Sequence, residues 1–129
     1  MKRKKNLKPT DSELEILQVL WKLGPATVKQ VNDSLNKKKE TGYTTTLKLM
    51  QIMFEKGLLT REKSGRSHIY NAAYREEETQ QAVLDRILES AFGGSAGKLI
   101  MQALGNKNLS KDERESIKEL IDKMERKEK

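Results

Sequence analysis

One stretch limits the folds open to this chain more than any other: Tyr43-Thr44-Thr45-Thr46-Leu47-Lys48-Leu49-Met50-Gln51-Ile52-Met53-Phe54-Glu55-Lys56-Gly57. At 100° per residue, Leu47, Leu49, Met50, Met53 and Phe54 share one broad arc, and Thr44, Lys48, Gln51 and Glu55 fall together on the opposite one. The spacing predicts an amphipathic helix that Gly57 stops. Threonine, lysine and glutamine carry short or flexible donors and acceptors, which reach base edges and phosphates without crowding a groove. Such a face on an isolated helix is most simply solvated surface, so its neighbours decide what it is for.

Upstream, Thr10 precedes an apolar-periodic run and Glu13 follows three positions on, which is capping-box spacing. Leu14, Leu17, Leu20 and Trp21 line one face of the helix this predicts, and Gly24-Pro25 ends it. Ala26-Thr27-Val28 reads as a short extended lead into a second helix, marked by Val28, Val31 and Leu35. The polar, basic segment 36–42 then delivers the chain to the 43–57 helix. Two short helices and a turn before a polar-faced third is the helix-turn-helix arrangement, whose last helix enters the major groove.

Downstream, the segments 58–63 and 68–74 have strand character, separated by the tight turn Ser64-Gly65-Arg66-Ser67. A hairpin directly after a recognition helix is a wing, and a cation flanked by hydroxyls at its tip suits phosphate contact. The expected DNA-contacting residues are therefore Tyr43, Thr44, Thr45, Thr46, Lys48 and Gln51 on the helix, with Lys63, Gly65, Arg66 and Ser67 on the wing. His68 is the only histidine, and with no second ligand type near it, it is expected on a strand surface rather than at a metal.

From residue 76 the character changes. Glu76-Glu77-Glu78 suits a helix N-terminus, and Val83, Leu84, Ile87, Leu88 and Ala91 give that helix a wide apolar face up to Phe92-Gly93-Gly94. Ser95 caps a helix that is apolar almost all round at Leu99-Ile100-Met101 and Ala103-Leu104, with Gly105-Asn106 expected to end it. Ser110 caps the last helix with Glu113 at N3, and Ile117, Leu120, Ile121 and Met124 form a stripe. Three short helices cannot bury this much apolar surface on their own, and a second copy of the chain is the natural cover. Leu84, Ile87, Leu88, Leu99, Ile100, Ala103, Leu104, Ile117, Leu120, Ile121 and Met124 are the expected dimer contacts.

Charge follows the same division. Residues 1–75 hold 16 Lys+Arg against 7 Asp+Glu, and residues 76–129 hold 10 against 12. The basic half is suited to a polyanion. With 35% hydrophobic and 35% charged residues the cores must be small. No run approaches the roughly 18 apolar residues of a transmembrane span. Met1-Lys2-Arg3-Lys4-Lys5 is basic but no apolar stretch follows it, so it does not read as a signal peptide. The expected organisation is a basic arm at 1–9, a winged helix-turn-helix domain at 10–75 and a three-helix dimerisation domain at 76–129, mainly α with a small β-wing. A cytoplasmic location is expected, without membrane insertion. A single histidine, no cysteine and no converging carboxylates offer neither a catalytic set nor a metal site, and no cofactor is implied.

Four segments of this chain resemble the BlaI/MecI-type penicillinase repressor family, over about Leu7 to Met124. They are Thr10 to Trp21; Tyr43-Thr44-Thr45 with Glu55-Lys56-Gly57-Leu58-Leu59; Gly65-Arg66 with Tyr70; and Phe92-Gly93-Gly94-Ser95 with Leu99-Ile100. The resemblance implies a homodimeric transcriptional repressor on a double-stranded, palindromic operator. It also implies release when a membrane-bound sensor protease signals and the dimerisation helices are cut. Aligned from Gly93-Gly94, the scissile bond would join Gln102 and Ala103, whereas the family's site is Asn-Phe. Relatives often carry arginines where this chain has Leu47, Gln51 and Ile52, so operator sequence does not transfer. The alternative class is a winged-helix protein-interaction module in which Leu47 and Ile52 meet another protein.

Overall fold

The computed structural model describes residues 7–128, and residues 1–6 of the expected basic arm lie outside the described residues. The chain forms two compact units, the first ending at Arg86 and the second beginning at Ile87.

In the first unit, α1 spans Asp11–Leu23, α2 Val28–Leu35 and α3 Tyr43–Glu55. Both α1 and α2 start on a complete capping box, Thr10 with Glu13 and Thr27 with Gln30, so each satisfies two orphan N–H donors locally. Gly57, at φ +84°, closes α3. The Leu58 N–H donates to the Met53 carbonyl and the Gly57 N–H to the Phe54 carbonyl, the paired bonds of a Schellman motif that require a left-handed residue. Strands β1 (Leu59–Ser64) and β2 (Ser67–Ala72) then pair antiparallel, from Leu59 opposite Ala72 to Ser64 opposite Ser67. Ala26 adds a bridge to Tyr70 through bonds of 2.9 and 2.8 Å, so the extended segment before α2 is tied to the hairpin.

One apolar core unites these elements. Ile16, Leu17 and Leu20 of α1, Val28 and Val31 of α2, Met50 and Met53 of α3, and Leu58, Leu59 and Tyr70 of the hairpin are all buried in it. Leu7 and Pro9 are buried too, so the tail of the expected 1–9 arm belongs to the folded unit. The unit also extends past the expected junction at 75–76. Helix α4 spans Glu76–Phe92, and in its first part Thr79 is buried and Ala82 packs against the core. The Trp21 indole N–H donates to the Tyr74 carbonyl at 3.1 Å, fixing the approach to α4.

The second unit holds the end of α4, α5 (Ala96–Asn106) and α6 (Lys111–Glu128). Ser95 caps α5 by accepting from the Lys98 N–H, and Ser110 and Glu113 bond reciprocally at the start of α6. Helix α5 ends at Asn106, as Gly105-Asn106 leads one to expect, although Gly105 itself does not take a positive φ. Among the described residues from Ile87 onward, none is buried.

Candidate nucleic-acid interface

Helix α3 presents to solvent the face its periodicity sets apart. Thr44, Thr45, Lys48, Gln51, Ile52 and Glu55 are exposed, as is Tyr43 at the helix start. Leu47 is half-buried and packs against the core, whereas Ile52 is 40% exposed.

Thr46 departs from expectation. Its side chain is 1% exposed, so it cannot reach a base or a phosphate. It sits four residues before Met50 and seven before Met53, in the same buried stripe. Its hydroxyl accepts from Asn32 Nδ2 at 2.8 Å and donates to the Gly42 carbonyl at 3.3 Å.

At the wing, Lys63, Gly65, Arg66 and Ser67 are all exposed. Ser64 and Ser67 pair in the ladder, so the turn proper is the two-residue loop Gly65-Arg66. Gly65 has φ +62° and no other residue than glycine takes a positive φ in the described chain. A primed turn with glycine at its first central position matches the twist of the flanking strands and leaves the Arg66 side chain at the tip. The wing root is tied to α3 through Arg61, whose guanidinium lies 4.0 Å from the centroid of the Phe54 ring and reaches the Tyr70 hydroxyl at 3.5 Å. His68 is half-buried in β2 and meets Tyr70 edge-on.

Sequence inspection also missed an ion pair at the end of α3. Lys56 Nζ lies 2.8 and 2.9 Å from the two carboxylate oxygens of Glu13, which is buried. Burial alone would raise the Glu13 carboxyl. The Lys56 ammonium and the hydrogen bonds from Thr10 outweigh it and hold the carboxyl below its ordinary range. Lys56 is thereby committed to joining α3 to α1. A carboxylate at N3 reads as a capping box in sequence, but its lysine partner lies 43 residues away, beyond the reach of any local pattern.

The described residues contain no group of three or more metal-ligating side chains. No described helix is long and apolar enough to cross a membrane. In the second unit Ile87, Ile100, Ala103, Leu104, Leu120, Ile121 and Met124 are exposed, and Leu88, Leu99 and Ile117 are half-buried. Leu84 of α4 is 42% exposed. Gln102 and Ala103 lie exposed within α5.

Three helices with a third that is polar outward, followed by a basic-tipped hairpin tied to that helix, define a winged helix-turn-helix protein. A solved structure of the DNA-binding domain of the repressor BlaI shares this fold, with 27% identity and a TM-score of 0.52 over 60% of this chain and 93% of that one. The family model described as penicillinase repressor matches residues 9–123, and the chain belongs to that family. Its relatives include the penicillinase repressor of Bacillus licheniformis, 23% identical over 88% of both chains. Another is the transcriptional regulator BlaI of Mycobacterium tuberculosis, 23% identical over 89% of this chain and 83% of that one.

Proposed function

We propose that this chain is a transcriptional repressor that binds an inverted-repeat operator in double-stranded DNA as a homodimer, in the cytoplasm. The single observation that carries this is the exposed Thr44, Thr45, Lys48 and Gln51 row on α3, set beside an exposed Arg66 at the wing tip. In this arrangement the helix row meets base edges while Lys63, Arg66 and Ser67 hold phosphates, so one element specifies and the other positions. Membership of the penicillinase repressor family supports the same function.

Pairing of chains is assigned to the apolar residues of the second unit, together with Leu84 of α4. What supports it is that no described residue of this unit is fully buried, while Ile100, Leu120, Ile121 and Met124 remain 47–58% exposed. Release by a membrane-bound sensor protease is the step that family resemblance suggests for this chain. A cut between Gln102 and Ala103 would divide α5 and with it the apolar surface that pairs the chains. The wild-type chain and a Gln102→Pro variant, compared by mass in inducing cells, would show whether that bond is the one cut.

The test of DNA binding is a salt series on a duplex selected by the protein from a random pool. The logarithm of affinity should fall linearly with the logarithm of salt concentration, with a slope of about −0.9 per phosphate neutralised. A winged-helix module serving protein contact instead would bind no duplex, or bind without selecting a sequence. Leu47 packs against the core, so that second use would rest on Ile52 alone.

A further inference from the structure

Helix α3 starts differently from the two helices before it. Helices α1 and α2 carry their own threonine caps, whereas Gly42 stands at the N-cap of α3 and no side chain there accepts from its first turn. A helix end without a local cap frays, and its first residue has no fixed position unless something else holds it.

What holds it comes from α2. Asn32 is 8% exposed and lies one turn beyond Val28, on the side of α2 that faces the core. Its Nδ2 donates to the Thr41 carbonyl at 3.0 Å and to the Thr46 hydroxyl at 2.8 Å. The same hydroxyl donates onward to the Gly42 carbonyl. One amide group therefore grips the residue before the N-cap and the first turn after it. Asn36 completes the grip: its Nδ2 donates to the Thr41 carbonyl at 2.9 Å, and its Oδ1 accepts from the Thr41 N–H at 2.8 Å. Asn36 Nδ2 also lies 3.2 Å from Asn32 Oδ1, so the Asn32 amide has only one orientation that leaves every atom paired. No buried side-chain polar atom in the described residues lacks a partner.

We propose that Asn32, acting through Thr46, is a positioning residue for sequence recognition. It sets where α3 begins relative to α2, and so how the exposed Thr44, Thr45, Lys48 and Gln51 row is presented. This rests on the DNA-binding function proposed above. Phosphate contacts tolerate small displacements because a point charge acts over several ångströms, but hydrogen bonds to base edges do not. Loss of the clamp should therefore erode discrimination between sequences while leaving general DNA affinity nearly intact. No local signal marks the pair, since an asparagine on an apolar face and a threonine in an apolar stripe are each unremarkable by themselves.

The full-length protein would be tested on two duplexes: one selected by the wild type from a random pool, and a shuffled version of it. Thr46→Val keeps the shape and removes the hydroxyl, whereas Thr46→Ser keeps the hydroxyl. Asn32→Leu removes the donor from the other side. Thermal midpoints would be recorded for each, with binding measured well below the lowest. The ratio of the two affinities should drop about tenfold in Thr46→Val and Asn32→Leu. Shuffled-duplex affinity should stay within about twofold, and Thr46→Ser should keep the wild-type ratio. An unchanged ratio in both variants, or a parallel loss on both duplexes, would overturn the clamp's role in recognition. A wild type that prefers no sequence would overturn the repressor function itself, leaving Asn32 nothing to position.

Discussion

Met50 and Met124 are the same side chain in opposite circumstances. The first is 0% exposed in the core of the winged unit, and the second is 58% exposed on α6. The contrast extends to everything around them. The first unit closes its core with residues from α1, α2, α3, the hairpin and Leu7. Both α5 and α6 contain no buried residue at all. Their helices are nevertheless well started, with serine caps and, on α6, reciprocal bonds between Ser110 and Glu113. Local helix signals and burial are thus separate properties. The winged unit has both, and the second unit has only the first until something covers it. Isolated helices of this length are marginal in water, so their stability must come from packing.

The largest expected effect breaks this comparison at its weaker half. Ile121→Glu, on a face that dimerisation would bury, should weaken pairing by about 3 kcal/mol, or about a hundredfold. Helix content should fall with it, as read by far-ultraviolet circular dichroism at low concentration. Dimers that survive the substitution unchanged would place the contact elsewhere.

A matched pair of truncations sharpens the contrast. Met50→Ala should cost about 2–5 kcal/mol in urea unfolding, independent of protein concentration. Met124→Ala in the full chain should instead have an effect that scales with protein concentration. Equal, concentration-independent losses at the two sites would mean that the second unit is folded without a partner.

Within the winged unit, Arg66→Ala should weaken binding to all duplexes alike and reduce the salt slope by roughly one. Gln51→Ala should instead relax preference at one base position per half-site, by about 1–3 kcal/mol. Ile52 offers an apolar surface on the same face, and in a groove its specific partner is the thymine methyl group. Replacing thymine by uracil across the half-site should reduce affinity, and undiminished binding would show that Ile52 does not read that group.

The smallest effect compares two glutamates in the same local motif. Glu13 and Glu113 each stand at N3 of a capping box, and both carboxyls are held below their ordinary value of 4.5. The Glu113 shift comes from the bonds with Ser110 on an exposed helix end, whereas Glu13 is buried against Lys56. A depressed carboxyl adds stability that is present above the unfolded value and lost as pH falls through the folded one. Glu13→Gln should therefore lower stability near neutrality and flatten the acid limb below pH 4.5. Glu113→Gln should change that limb far less, because solvent screens its partners.

Periodicity made most of the fold legible. The α3 stripe, the Gly57 stop and the Gly65-Arg66 turn all follow from residue type and spacing, and the exposed row on α3 follows from the same wheel. Thr46 was misplaced because residue type says surface while its position in the Met50 and Met53 stripe says core, and packing decides. The reach of the first unit to Arg86 was hidden because Thr79 and Ala82 give no apolar signal among glutamates and glutamines. The Glu13–Lys56 pair and the Asn32 clamp join residues distant in sequence, and no local pattern carries them.

Sedimentation equilibrium of two chains, the full sequence and one ending at Arg86, addresses the division between the units most directly. The full chain should sediment at twice its chain mass and the shortened chain as a folded monomer, with thermal unfolding of the latter still cooperative. A monomeric full chain, or a shortened chain that still pairs, would contradict it.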